Sequence, residues 1–127
     1  MPKMVITVAA GGAVGAALRY LAMAAVGQAL GAGFPYGTLI VNVLGCLMLG
    51  ALIEIMALSW SVGLELRAFL VVGVLGGFTT FSAFAMDSVY LAERGQLLAA
   101  GLYMASSVVV SIAAFLVGLM ALRAILT

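Results

Sequence analysis

The chain has 127 residues, 67% of them hydrophobic, with five Lys or Arg, four Asp or Glu, no histidine and a single cysteine. So few charges cannot clothe a water-soluble surface. A disulfide framework, a Cys or His metal centre and the usual nucleophilic or acid–base constellations lack their residues. The expectation is an all-α integral membrane protein, not an enzyme, whose function lies within the bilayer.

The charges punctuate the apolar runs. At ~20 residues per span, the expected helices lie at roughly 4–29, 36–57, 65–90 and 96–125, in one transmembrane domain over residues 1–127. Lys3 precedes the first apolar run as it would in a signal peptide, but Arg19 interrupts that run, and its loss would leave three spans. Within this helix "GGAVGAALRY" (Gly11 to Tyr20) offers small residues for close helix contact. The uncharged stretch from Tyr20 to Ile53 is too long for one span, and "GAGFPYG" (Gly31 to Gly37) turns it through glycines and Pro35. The second helix carries Asn42 within "GTLIVNVLG", whose amide can donate two hydrogen bonds to an anion or bond two helices together. Cys46, in "GCLMLG", reads as a small packing residue.

The third helix contains "GGFTTFSAF" (Gly76 to Phe84), about ten residues or ~15 Å in from Arg67. Glycine weakens a helix by about 1 kcal/mol relative to alanine, and threonine hydroxyls can satisfy freed carbonyls. A helix broken mid-membrane is therefore expected, and carbonyls opened at such a break form a nest for a small hard cation such as Na⁺. Phe81 and Phe84 share a face, with Thr80 nearby and Ser82 to one side. Their ring edges would offer weak positive potential to an ion, or the rings would simply pack. In the fourth helix Tyr103, Ser107 and Ser111 recur every four residues, so their hydroxyls form a ladder rising ~6 Å per step, with Ser106 on another face. The alternative is that these serines bond back to their own helix carbonyls. Glu54 and Asp87 are expected at helix ends. Hydroxyls and an amide serve either ion sign, so polarity alone does not choose between cation and anion.

Four spans place both termini on one side, where Lys3, Arg67 and Arg123 stand against Arg94 and, if it snorkels outward, Arg19. So weak a bias suits insertion in both orientations and an antiparallel homodimer, whose two-fold axis would bring two helix breaks into one carbonyl cage. A single fixed topology is the alternative.

In order, spacing and length these motifs resemble the Fluc (CrcB) fluoride channel family across the chain. The resemblance implies a fluoride-selective passive channel that exports toxic fluoride from a bacterial cytoplasm. It implies a dual-topology homodimer with two antiparallel pores in the cell inner membrane, whose partners are fluoride, Na⁺, the lipid bilayer and its own second copy, with no nucleic acid. Carried over by motif position, it makes Asn42 the pore asparagine, Phe81 and Phe84 the ring-edge pair, and Tyr103, Ser107 and Ser111 the polar track. Thr80 and Ser82 would line or support the pore, Arg19 would stand near a vestibule, and the carbonyls of Gly76 and Thr79 would hold a structural Na⁺ at the dimer axis. Two departures stand out: the family usually reads "FSTFS" followed two residues later by Glu, where this chain reads "FSAFA" and then Asp87. Ala83 and Ala85 each lack a hydroxyl, and Asp87 keeps the charge on a shorter arm. A small dual-topology proton-coupled multidrug exporter is the alternative; it needs a midplane carboxylate in the first helix, and residues 4–18 hold none. An accessory subunit would leave Asn42 and the hydroxyl ladder unexplained.

Overall fold

The computed structural model describes residues 2–127, and every regular element among them is helical. Four helical stretches are long and apolar enough to cross a membrane: Pro2–Leu30, Tyr36–Leu58, Leu64–Glu93 and Leu97–Leu126. The first two are α1 and α2. The third is two pieces, α3 (residues 64–78) and α4 (Phe81–Glu93), and the last is α5 (Leu97–Leu126). Within α3 the stretch Ala68–Leu75 is π-helical, so that the Gly76 N–H reaches back to Val71 O, a wide turn of the kind found at functional sites.

Turns form where left-handed backbone is needed. Gly31 (φ 81°) ends α1 and Gly95 (φ 79°) ends α4. At the latter, Gln96 N–H bonds Leu91 O at 3.0 Å and Gly95 N–H bonds Ala92 O at 3.0 Å, which satisfies two carbonyls that the helix end would otherwise orphan.

Two glycine-laced crossings hold the bundle. Where α1 meets α3, a Cβ on Gly11 would lie 2.9 Å from Gly73 Cα, and one on Gly73 would lie 2.8 Å from Gly11 Cα. Where α2 meets α5, a Cβ on Gly118 would come within 2.9 Å of Ala51 N and collide with Leu47 O, while one on Gly50 would collide with Phe115 O. Close backbone approach replaces the hydrophobic drive that lipid cannot supply. The small residues of "GGAVGAA" and "GCLMLG" thus tighten packing within one chain.

Ion contacts sort the ends. Lys3 Nζ lies 3.4 Å from Glu65, and Arg123 Nε lies 2.6 Å from Glu54 Oε2, which ties the start of α1 to the start of α3 and the end of α5 to α2. At the opposite end Arg94 reaches Gly33 O at 3.5 Å. Glu54 is near the end of α2, buried and paired with Arg123.

The third crossing opens at Thr79 (φ −86°, ψ 159°) and Thr80 (φ −151°, ψ 118°). Gly76 stays helical (φ −64°, ψ −35°), as does Gly77, so the glycines do not form the break themselves. The β-branched threonines, at ease in extended backbone, take that part.

Candidate functional site: a helix break beside a hydroxyl-lined cleft

An interrupted helix strands carbonyls before the break and N–H groups after it, and each needs a partner. Thr79 closes back onto its own helix, its N–H and its hydroxyl both donating to Leu75 O at 3.1 Å. Thr80 instead turns to α2. Its N–H donates to Asn42 Oδ1 at 2.7 Å, and Asn42 Nδ2 donates to Thr80 O at 3.0 Å. Thr80 Oγ1 then caps α4, accepting the Ala83 N–H at 3.1 Å, and lies 3.3 Å from Ser82 Oγ. Arg19 does not reach past the end of its helix: its Nε donates to Gly77 O at 3.1 Å, within the membrane and at the break.

These partners have a consequence for two other groups. In an unbroken helix the Gly76 carbonyl would accept from Thr80 N–H and the Thr79 carbonyl from Ala83 N–H. Both donors are taken, by Asn42 and by the Thr80 hydroxyl. Gly76 is also exposed on the outer surface of the chain. Among the described residues no group of three or more His, Cys, Asp or Glu could hold a metal ion.

Beside the break lies a cleft of about 320 Å³. Asn42 and Cys46 on α2 form one wall, Ser107, Val108, Ser111 and Ile112 on α5 face them, and Thr79, Thr80, Phe81 and Phe84 complete it. The Cys46 thiol lies beside Ser111; the Ser107 and Ser111 hydroxyl oxygens are buried and have no oxygen or nitrogen partner. Neither bonds back to its own helix, although Ser106, on another face, does so to Tyr103 O at 3.3 Å. A buried hydroxyl left unpaired costs about 1–3 kcal/mol, so two in one apolar cleft call for a ligand or ordered water. The Phe81 and Phe84 rings are 5.4 Å apart, inclined at 46°, and Phe81 is 78% exposed at the outer edge of the chain.

Above the cleft the polar groups are fully paired. Tyr103 is completely buried, and its hydroxyl donates to Asp87 Oδ2 at 3.2 Å. Thr38 Oγ1 donates to the same oxygen at 2.7 Å. Phe84 lies 5.4 Å from the Tyr103 ring, and Phe34 meets that ring edge-on at 5.5 Å. Tyr103 therefore shares a helix face with Ser107 and Ser111 but stands outside the cleft wall, its proton committed to Asp87. Asp87 itself lies within α4, where with Arg94 and Tyr90 it lines a second hollow of about 130 Å³ toward the loop end.

Of the residues singled out from sequence, Asn42, Thr79, Thr80, Phe81, Phe84, Ser107 and Ser111 converge on the cleft, and Ser82 joins through Thr80. Tyr103 adjoins through Phe84, while Arg19 and Gly76 lie at the break but outside the cleft lining. Sequence reasoning missed the Thr38–Asp87–Tyr103 cluster and the place of Cys46. Helical spacing carried both signals, since Thr38, Asn42 and Cys46 follow one another at intervals of four along one face of α2.

Residues 6–119 match the family described as CrcB-like protein, Camphor Resistance (CrcB). The chain belongs to the CrcB-like family. It is 45% identical over 119 residues, 94% of each chain, to the protein named fluoride-specific ion channel FluC 1 of Nitrobacter hamburgensis. It is 48% identical over 120 residues to the fluoride-specific ion channel FluC of Rhizobium johnstonii, covering 94% of this chain and 96% of that one. With the similarly named protein of a Chelativorans species it shares 52% identity over 116 residues, 91% of this chain and 93% of the relative. Membership therefore covers both the break and the cleft.

Proposed function

We propose that this CrcB-like chain is a fluoride-selective passive channel rather than an enzyme, exporting fluoride across a bacterial inner membrane. The observation that carries the reading is the pair of buried hydroxyls of Ser107 and Ser111, without an oxygen or nitrogen partner, in a cleft lined also by Asn42, Phe81 and Phe84. Fluoride is small and holds its water tightly, so a selective path must offer replacement donors without trapping the ion. Hydroxyls, one remaining Asn42 N–H and aromatic edges are uncharged donors of graded strength. Such donors do not by themselves choose the sign of the ion; the names of relatives 45–52% identical supply fluoride.

The working unit in this reading is an antiparallel homodimer with two pores. Phe81, a wall of the cleft, is 78% exposed in the single chain, and a second copy inserted the other way would cover it. The carbonyls of Gly76 and Thr79, deprived of their helical donors, fit a structural Na⁺ shared between two breaks at the dimer axis. There the ion would supply positive charge and tie the two chains together. Its ligands come from backbone, held open by Asn42 and by the Thr80 cap.

A proton-coupled exporter is disfavoured by the state of the acids: Glu54 is engaged by Arg123, Asp87 by Thr38 and Tyr103. Purified protein in liposomes is expected to release fluoride much faster than chloride with no proton gradient. Equal release of the two anions, or transport only under an imposed pH difference, rejects the channel.

A further inference from the structure

Cys46 follows Asn42 by four residues, so the two side chains share a face of α2, and both line the cleft. A small residue in a membrane helix ordinarily packs against its neighbour, and the sequence suggests no more for this one. The surroundings differ from ordinary packing. Ser107, lining the same cleft, is only 6% exposed with its hydroxyl oxygen buried and unpartnered, and the half-buried Ser111 places its hydroxyl beside the Cys46 thiol with no oxygen or nitrogen partner. A buried hydroxyl such as that of Ser107, with no protein partner, suits a small polar occupant of the cleft, and the Cys46 thiol is the polar group beside Ser111. The thiol borders that space, one helical turn from the Asn42 amide.

We propose that the Cys46 thiol is part of the wall of the ion path, and that it is a covalent modification site through which a small thiol-reactive electrophile closes the path. The proposal rests on the channel reading above. Its physical content is steric and polar together. A thiol is a weak, uncharged donor that leaves the cleft open, whereas a thiol carrying a further alkylthio group puts apolar bulk where the ion must meet hydroxyls. Every donor it hides would have to be replaced by water that no longer fits.

The chain contains one cysteine, so a thiol reagent has one target. Methyl methanethiosulfonate, small and neutral, is a suitable probe. The Cys46 thiolate attacks its sulfenyl sulfur and a disulfide to the methylthio group forms. The sulfur–sulfonyl bond breaks, methanesulfinate leaves, and the thiol proton goes to buffer.

The experiment uses the full chain in liposomes and records fluoride efflux before and after the reagent, with intact-mass measurement to count adducts. Labelled wild type should lose efflux by about tenfold or more, as expected when a pore lining is occluded, and dithiothreitol should restore it. Fluoride in the medium should slow labelling by occupying the same space. Cys46→Ala and Cys46→Ser, each compared with its own efflux before the reagent, should gain no adduct and show no change in efflux when the reagent is added. Fully labelled protein that conducts as before, or a thiol that never labels, overturns the proposal while leaving the channel standing. No fluoride efflux before the reagent is added overturns the channel reading, and this inference with it.

Discussion

Two groups of polar side chains lie one helical turn apart on α5, and they are treated in opposite ways. Around Tyr103 the hydrogen bonds are closed, with Thr38 and Tyr103 both donating to Asp87. At Ser107 they are left open, and Ser111 has only the Cys46 thiol beside it. The first group behaves as a structural clasp linking α2, α4 and α5. The second lacks the strong protein partners that a structural role would have supplied, or made unnecessary by apolar replacement. Asn42 belongs to both worlds: it lines the open cleft but uses its amide to hold the backbone of Thr80. The chain thus spends its strong hydrogen bonds on holding the break and the clasp, and reserves unpaired donors for the cleft.

The comparison can be broken at its base by separating α2 from α5, since these helices carry both groups. Gly118→Leu would drive a side chain into Leu47 O and Ala51 N. Overpacking of a tight contact costs about 3 kcal/mol when backbone must move. The variant should lose monodisperse, folded protein in detergent, and a normal elution profile and unfolding midpoint would remove the crossing from the account.

Asn42→Ala acts on the break. It leaves the Thr80 N–H and carbonyl without partners, at about 2 kcal/mol, and frees that N–H to close onto Gly76 O as in a continuous helix. Reduced unfolding stability together with loss of any Na⁺ dependence of that stability is expected. Retained Na⁺ dependence would show that Asn42 does not keep the carbonyls open.

Asp87→Asn tests the clasp with a smaller change. An amide oxygen can still accept from Thr38 and Tyr103, but without the charge assistance that makes such bonds stronger. A loss of about 1 kcal/mol is expected in chemical unfolding. An unchanged midpoint would mean that the charge contributes nothing to the clasp, and that the shorter arm of aspartate serves another purpose.

The four helices were legible because charges and turn residues punctuate the apolar runs, and the interruption of the third was legible because Gly76, Gly77, Thr79 and Thr80 stand together at mid-span. Its location was read less well. Glycine is permissive but not directive, and the opening fell to the threonines, whose branched side chains favour extended backbone and whose hydroxyls bond Leu75 O and the Ala83 N–H. The spacing of Tyr103, Ser107 and Ser111 revealed a shared face, yet it could not reveal that Tyr103 is committed to Asp87, because that depends on which residues α2 and α4 present. Arg19 shows the same boundary. Its place in the run was plain, whereas its bond to Gly77 O, 58 positions along the chain, belongs to the packing of α1 against α3.

The most direct measurement pairs stability with transport in the double variant Ser107→Ala with Ser111→Ala. If the open hydroxyls serve a passing ion, their removal relieves unpaired burial and leaves the unfolding midpoint unchanged or higher, while fluoride efflux from liposomes falls by about tenfold or more. A lower midpoint with undiminished fluoride efflux would contradict the account, because it would make the two serines structural and place the ion elsewhere.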